Sequence, residues 1–241
     1  MSAPGRAAGT ARRHALVVAL TFVTGTVDAL GFTDLGGAFS SVMTGNMVLL
    51  GIRSASGSWL EAGHAGLAIL SFVLGVLGGA RIAGHPRAGE PVWPRRASVA
   101  LGVEAVLLGG VAIVWIVLGG APGPEVQQVL LALCAAALGV QSSAVQRLGV
   151  SGLSSTYLTG TLTTLVAGVA ARRPAAVLLP SLLVLAALVV GAGAGWAASA
   201  AVRPVAPLVA LVPFLAILSV AALTRWAQPT HVDVGTAAAS R

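Results

Sequence analysis

Six stretches of about twenty residues each, at approximately 14–33, 61–83, 97–119, 125–147, 174–200 and 204–224, are apolar and nearly free of charge. A helix needs about 20 such residues to cross the roughly 30 Å hydrocarbon of a bilayer. Within that hydrocarbon only helices and closed barrels satisfy their own backbone groups. Runs of this length therefore predict an all-α polytopic membrane protein. The charge content agrees. Only 9% of residues are charged and the mean hydropathy is +0.93, whereas soluble domains carry about a quarter charged residues.

Two further segments interrupt this pattern. Residues 38–52 are too short to span, and residues 151–171 are long enough but rich in Ser, Thr and Gly. The first contains the polar knot Met43-Thr44-Gly45-Asn46, and the second contains Leu158-Thr159-Gly160-Thr161. All fourteen cations are Arg, and their positions arbitrate. Suppose neither segment changes sides and the N-terminus is cytoplasmic. Arg6, Arg12, Arg13, Arg81, Arg87, Arg95, Arg96, Arg172, Arg173, Arg225 and Arg241 then lie inside, with Arg53 and Arg203 outside. If both segments cross, Arg81, Arg87, Arg95 and Arg96 move outside and the bias nearly vanishes. The positive-inside rule thus favours six crossings plus two short broken or re-entrant helices. It also explains the net charge of +7 without nucleic acid. Residues 1–13 and 226–241 read as disordered cytoplasmic tails around one membrane domain, 14–225. A cleaved signal peptide is disfavoured because Asp28 sits at the loose cleavage pattern and the apolar sequence continues behind it.

The chain also reads as two halves, about 14–119 and 125–224. At an offset of 115 residues, Gly37/Gly152, Ser40/Ser155, Thr44/Thr159, Gly45/Gly160 and Leu50/Leu165 are identical. Ser71, Gly75 and Gly79 in the second long stretch, and Ala187, Gly191, Gly195 and Ser199 in the fifth at an offset of 116, are small residues spaced by four that let helices approach closely in lipid. Three crossings per half place the halves in opposite orientations. That is an inverted-topology repeat, a common plan among secondary transporters, with the site where interrupted helices meet near the midplane.

The stretches Thr24-Gly25-Thr26-Val27-Asp28-Ala29-Leu30-Gly31-Phe32, Leu35-Gly36-Gly37-Ala38-Phe39 and Met43-Thr44-Gly45-Asn46-Met47-Val48-Leu49-Leu50-Gly51 resemble the YoaK-type family of bacterial membrane proteins. So do Gly139-Val140-Gln141, Arg147-Leu148-Gly149-Val150 and Ser155 to Leu162. One departure is Ser142, where the family pattern has Asn. The resemblance implies a polytopic inner-membrane protein and brings no established activity.

Chemistry must then come from the residues. Asp28 shares a helical face with Thr21, Thr24 and Gly25, and an intramembrane acid suggests an ion, proton or substrate path. Thr44, Gly45, Asn46, Gln141, Thr159, Gly160 and Thr161 offer hydrogen-bonding groups for a small solute, or else glue helices together. Tyr157, beside the second knot, reads as packing or interfacial. Glu104 reads as a cytoplasmic-interface residue pairing with Arg95 or Arg96. Gly75, Gly79, Gly191 and Gly195 read as packing positions. No His pair has metal-ligand spacing, no Ser-His-Asp arrangement is legible, and the lone Cys134 excludes an intramolecular disulfide. The expectation is no enzyme, no metal and no cofactor. The expected partners are the lipid bilayer, a small solute and a coupling proton or cation. The alternative is a non-transporting accessory or scaffold protein.

Overall fold

The computed structural model describes residues 3–84, 95–147 and 158–226. Their regular secondary structure is all helical, without strands: α1 (Ala3–Asp34), α2 (Met43–Ala55), α3 (Trp59–Ala83), α4 (Arg95–Val117), α5 (Pro124–Arg147), α6 (Leu158–Ala170), α7 (Ala175–Val202) and α8 (Leu208–Trp226). A 3-10 turn, Arg203–Val205, joins the last two. Five helices are long and apolar enough to cross a membrane, those at Arg13–Asp34, Trp59–Ala83, Arg95–Val117, Pro124–Arg147 and Ala175–Val205. The apolar part of α8, Leu208–Val220, is shorter.

The short helices α2 and α6 have 13 residues each. At 1.5 Å per residue each covers about 20 Å, less than a bilayer core. The Ala-rich start of the chain is helical from Ala3, so much of the segment read as a tail continues α1. High Ala helix propensity is the physical reason. The second tail beyond Trp226 lies outside the described residues.

The exposed surface is apolar. Leu70, Leu74 and Leu77 on α3, Val106 and Ile113 on α4, and Val189 and Val190 on α7 all point outward. Water would disfavour so large an apolar face, and lipid tails accept it.

Two helix pairs carry the most extensive packing, α1 with α7 and α3 with α5. Further contacts join α4 to α5, α1 to α8, α4 to α8, α2 to α3 and α6 to α7. Glycine permits the two closest crossings. A Cβ on Gly75 would strike the carbonyl oxygen of Ala136, and one on Gly139 would strike that of Phe72. A Cβ on Gly79 would lie 2.9 Å from Val140 Cα. In the other pair, a Cβ on Gly191 would strike the carbonyl of Phe22, and one on Gly25 that of Leu188. On Gly195 it would lie 2.8 Å from the carbonyl oxygen of Thr26. With no hydrophobic drive between helices in lipid, such backbone-to-backbone approach supplies the dispersion that holds them.

Candidate functional site

The first polar segment is a loop turned back into the protein. After Asp34, Gly36 (φ +102°) and Gly37 (φ +71°) occupy the left-handed region that favours glycine, and they reverse the chain. Residues 35–42 then return alongside α1. Asp28, six residues or about 9 Å before the end of α1, receives the Ser41 N–H at 2.7 Å and the Ser41 hydroxyl at 2.5 Å. Helix α2 begins just beyond, at that depth.

Asn46, fully buried, acts as a substitute backbone. Its Oδ1 accepts the Phe39 N–H at 2.9 Å, and its Nδ2 donates to the Phe39 carbonyl at 2.6 Å. From α3, His64 Nδ1 lies 3.1 Å from the Gly36 carbonyl oxygen. Arg53 at the end of α2 donates to the Gly37 carbonyl at 2.8 Å and pairs with Glu61 at 3.5 Å. Phe39 stacks on Phe32 with ring centroids 4.7 Å apart. Irregular backbone at membrane depth must find partners inside the protein, and Asp28, Asn46, His64 and Arg53 supply them. Thr44 is exposed, and Gly45 is half-buried against the loop, where a Cβ would come within 3.2 Å of Val42 and 3.6 Å of Phe39.

The second segment has the same burial pattern. Thr159 is exposed, Gly160 half-buried and Thr161 buried, matching Thr44, Gly45 and Asn46. Thr163 and Thr164 return their hydroxyls to the carbonyls of Thr159 (3.0 Å) and Gly160 (2.9 Å). The residues leading into α6, Tyr157 among them, lie outside the described residues. The two knots are carried by different helices, α2 on α3 and α6 on α7, and share no extensive contact among the described residues.

Between the halves, α1 and α5 are joined by Gln141, which donates to the Thr24 hydroxyl at 2.7 Å. Thr24 and Thr21 pass their own protons back to Leu20 (3.0 Å) and Val17 (2.8 Å). Thr26 donates across to the Gly191 carbonyl at 3.0 Å. The Thr21–Thr24–Asp28 face is thus buried and hydrogen-bonded. A cavity of about 660 Å³ lies between the far ends of α3 and α5, lined by Arg81, Ser143, Gln146 and Arg147. An apolar one of about 640 Å³ lies between the first half of α1 and of α7, lined by Val18, Phe22, Leu179 and Leu183. Neither is lined by a Thr-Gly segment. Among the described residues no three His, Cys, Asp or Glu side chains converge on a metal position.

Two features escape the sequence reading. Glu104 does not sit at an interface with Arg95 or Arg96. Helix α4 begins at Arg95, so Glu104 is about 14 Å along it. It is fully buried, and among the described residues neither carboxylate oxygen has a hydrogen-bond partner. Arg95 and Arg96 are exposed. The second feature is a polar lock. Asp34 pairs with Arg203 at 3.2 Å and accepts Ser199 at 2.7 Å and Thr33 at 2.6 Å. The Trp115 indole donates to the Arg203 carbonyl at 2.7 Å. The lock ties the end of α1 to the end of α7. Its only sequence signal is Arg203, one of the two Arg that the charge count expects on the side poor in cations.

Comparison with known proteins fits this architecture. Residues 16–223 match a family model described as "Protein of unknown function (DUF1275)". Over 162 residues the chain is 32% identical to the "UPF0700 transmembrane protein YoaK" of Bacillus subtilis, covering 67% of this chain and 69% of that protein. No solved structure gives a significant match.

Proposed function

The chain belongs to the DUF1275 family of transmembrane proteins, and from that premise we propose that it is a secondary transporter or permease for a small solute. In this reading it sits in a bacterial inner membrane with both termini cytoplasmic. Six helices cross, α8 being the sixth, and α2 and α6 are half-helices that enter and leave on one side. The two halves are inverted repeats.

One observation carries the reading. The contact α3 makes with α5 has a counterpart in the contact α7 makes with α1. Gly75 meets Ala136 as Gly191 meets Phe22, and Gly139 meets Phe72 as Gly25 meets Leu188. The rest of the packing follows the same exchange: α2 on α3 and α6 on α7, α4 with α5 and α8 with α1. Helices α2 and α6 also begin and end 115 residues apart. Inverted repeats with interrupted helices are a recurrent transporter plan, in which one half rocks against the other around a midplane site.

Within this reading Thr44 and Thr159 are the exposed hydroxyls of the two knots and contact the solute, with Gly45 and Gly160 beside them leaving the backbone free of side chains and Thr161 buried behind. Gln141 holds the halves in register. Asp28 and Asn46 act as positioning residues that fasten the loop before α2. The reading is tested by solute flux in liposomes containing only this protein, loaded with a mixed pool of labelled small metabolites. Protein-dependent, saturable uptake of any component supports it. Its absence, with Asp28→Asn and wild type equally inert, leaves the alternative of a non-transporting accessory or scaffold protein. The engagement of Asp28, Asn46, Thr26 and Gln141 in internal bonds is the observation that favours that alternative.

A further inference from the structure

The buried face of α4 is an apolar stripe, Ala97, Ala100, Leu101, Leu108, Val111, Ala112 and Trp115, broken by a single ionisable group, Glu104. The helix has nine residues before it and thirteen after it, so the carboxyl lies near mid-thickness if α4 spans. A glutamate side chain is too short to reach an interface about 14 Å away.

No neighbour among the described residues compensates it. Among the described residues, α5 offers the buried Cys134 and, at its ends, Glu125 and Arg147. Helix α3 offers Glu61, His64 and Arg81, again toward its ends. The 3-10 turn offers the exposed Arg203, and α8 through Val220 carries no titratable group. None of these hydrogen-bonds to either Glu104 oxygen. An ionised carboxylate without a partner in a dry interior is strongly disfavoured, and such groups stay neutral instead. A leucine would fill the stripe at no such cost, and intramembrane acids facing a bundle interior mark proton or ion paths.

We propose that Glu104 is a proton-binding site, holding its carboxyl as the neutral acid while α4 is packed against its neighbours and exchanging that proton when the packing opens to water. In that exchange the carboxyl gives its proton to water and is left as the carboxylate, and it takes up one proton again before α4 repacks. Occupancy of the site stands alone. The further role, that this proton is the coupling ion, rests on the permease reading above.

The test is infrared difference spectroscopy of the protein in lipid nanodiscs at neutral pH. The C=O stretch of a protonated carboxyl is separate from the bands of an ionised one. Wild type is expected to show such a component, Glu104→Gln to lose it, and Asp28→Asn to keep it. Identical carboxyl-region spectra for wild type and Glu104→Gln would overturn the proposal. If Glu104→Gln does not fold, Glu104→Asp serves: the component should persist at a shifted frequency, and an unshifted or absent component overturns the assignment. Proton flux, read by a trapped pH dye during uptake of the metabolite pool, addresses the coupling role. A component lost in Glu104→Gln together with no solute flux in wild type upholds the proton site and sinks the permease reading. Solute-driven proton flux that survives Glu104→Gln refutes the coupling role.

Discussion

Replacing Asn46 by alanine should loosen the loop before α2 more than any other single change in the first knot. The substitution removes both partners of Phe39, whose N–H and C=O are held at 2.9 and 2.6 Å. Each backbone group left unsatisfied in a buried setting costs about 1–3 kcal/mol. The pair therefore gives about 2–6 kcal/mol, and the half-buried position of Phe39 favours the lower part of that range. For a chain of this size about 1 kcal/mol moves Tm by about 2–4 °C, so a fall of roughly 4–12 °C is expected. Asn46→Asp should be no milder, because an oxygen then faces the Phe39 carbonyl where an N–H stood. The buried thiol of Cys134 provides the assay. A thiol-reactive fluorogenic dye reports its exposure as purified protein is heated. If Asn46→Ala melts within about 1 °C of wild type, Asn46 does not fasten the loop and a direct role in solute contact becomes the better account.

Three further outcomes follow from the packing. Gly75→Ala and Gly191→Ala should each lose at least about 1–3 kcal/mol by overpacking, because the new methyl meets a main-chain carbonyl that cannot rotate away. Gly63→Ala, which meets nothing within 4 Å, should be neutral in the same melt. Asp34→Ala should cost about 2–4 kcal/mol through the loss of three partners, while Arg203→Gln should cost about 1 kcal/mol or less because its half-exposed side chain is screened. Equal effects of the two would contradict the lock described here. Asp28→Asn should leave membrane insertion intact but expose Ser41, detected as raised maleimide labelling of Ser41→Cys in that background. Unchanged labelling would remove Asp28 from the loop clamp.

Long-range polar geometry was less legible than helix length. Runs of about twenty apolar residues fix where helices lie, since lipid forbids other backbone states. The expected 61–83, 125–147 and 174–200 fall within two residues of α3, α5 and α7. The small-residue spacing on α3 and α7 identified surfaces that could approach a neighbour. It could not say that those neighbours would be Ala136 and Phe22. Asp28 was visible as an intramembrane acid, but Ser41 as its partner was not, because loop reversal at Gly36 and Gly37 sets that contact. Glu104 was misplaced for a related reason. Depth depends on where α4 begins, and pairing with Arg95 or Arg96 was inferred from proximity in sequence. The lock of Asp34 with Ser199 and Arg203 joins residues more than 160 positions apart, which no local pattern encodes.

The claim underlying the whole account is that α2 and α6 return to the side they came from, leaving the halves inverted. Single cysteines at Ser56→Cys and Ala171→Cys, both exposed positions just after these helices, test it in a Cys134→Ser background. The reagent is a membrane-impermeant maleimide, applied to intact cells and then to permeabilised ones. The account predicts labelling at position 56 in intact cells and at position 171 only after permeabilisation. Protection of both positions until permeabilisation would mean that both short helices cross the membrane, and the inverted arrangement would be wrong.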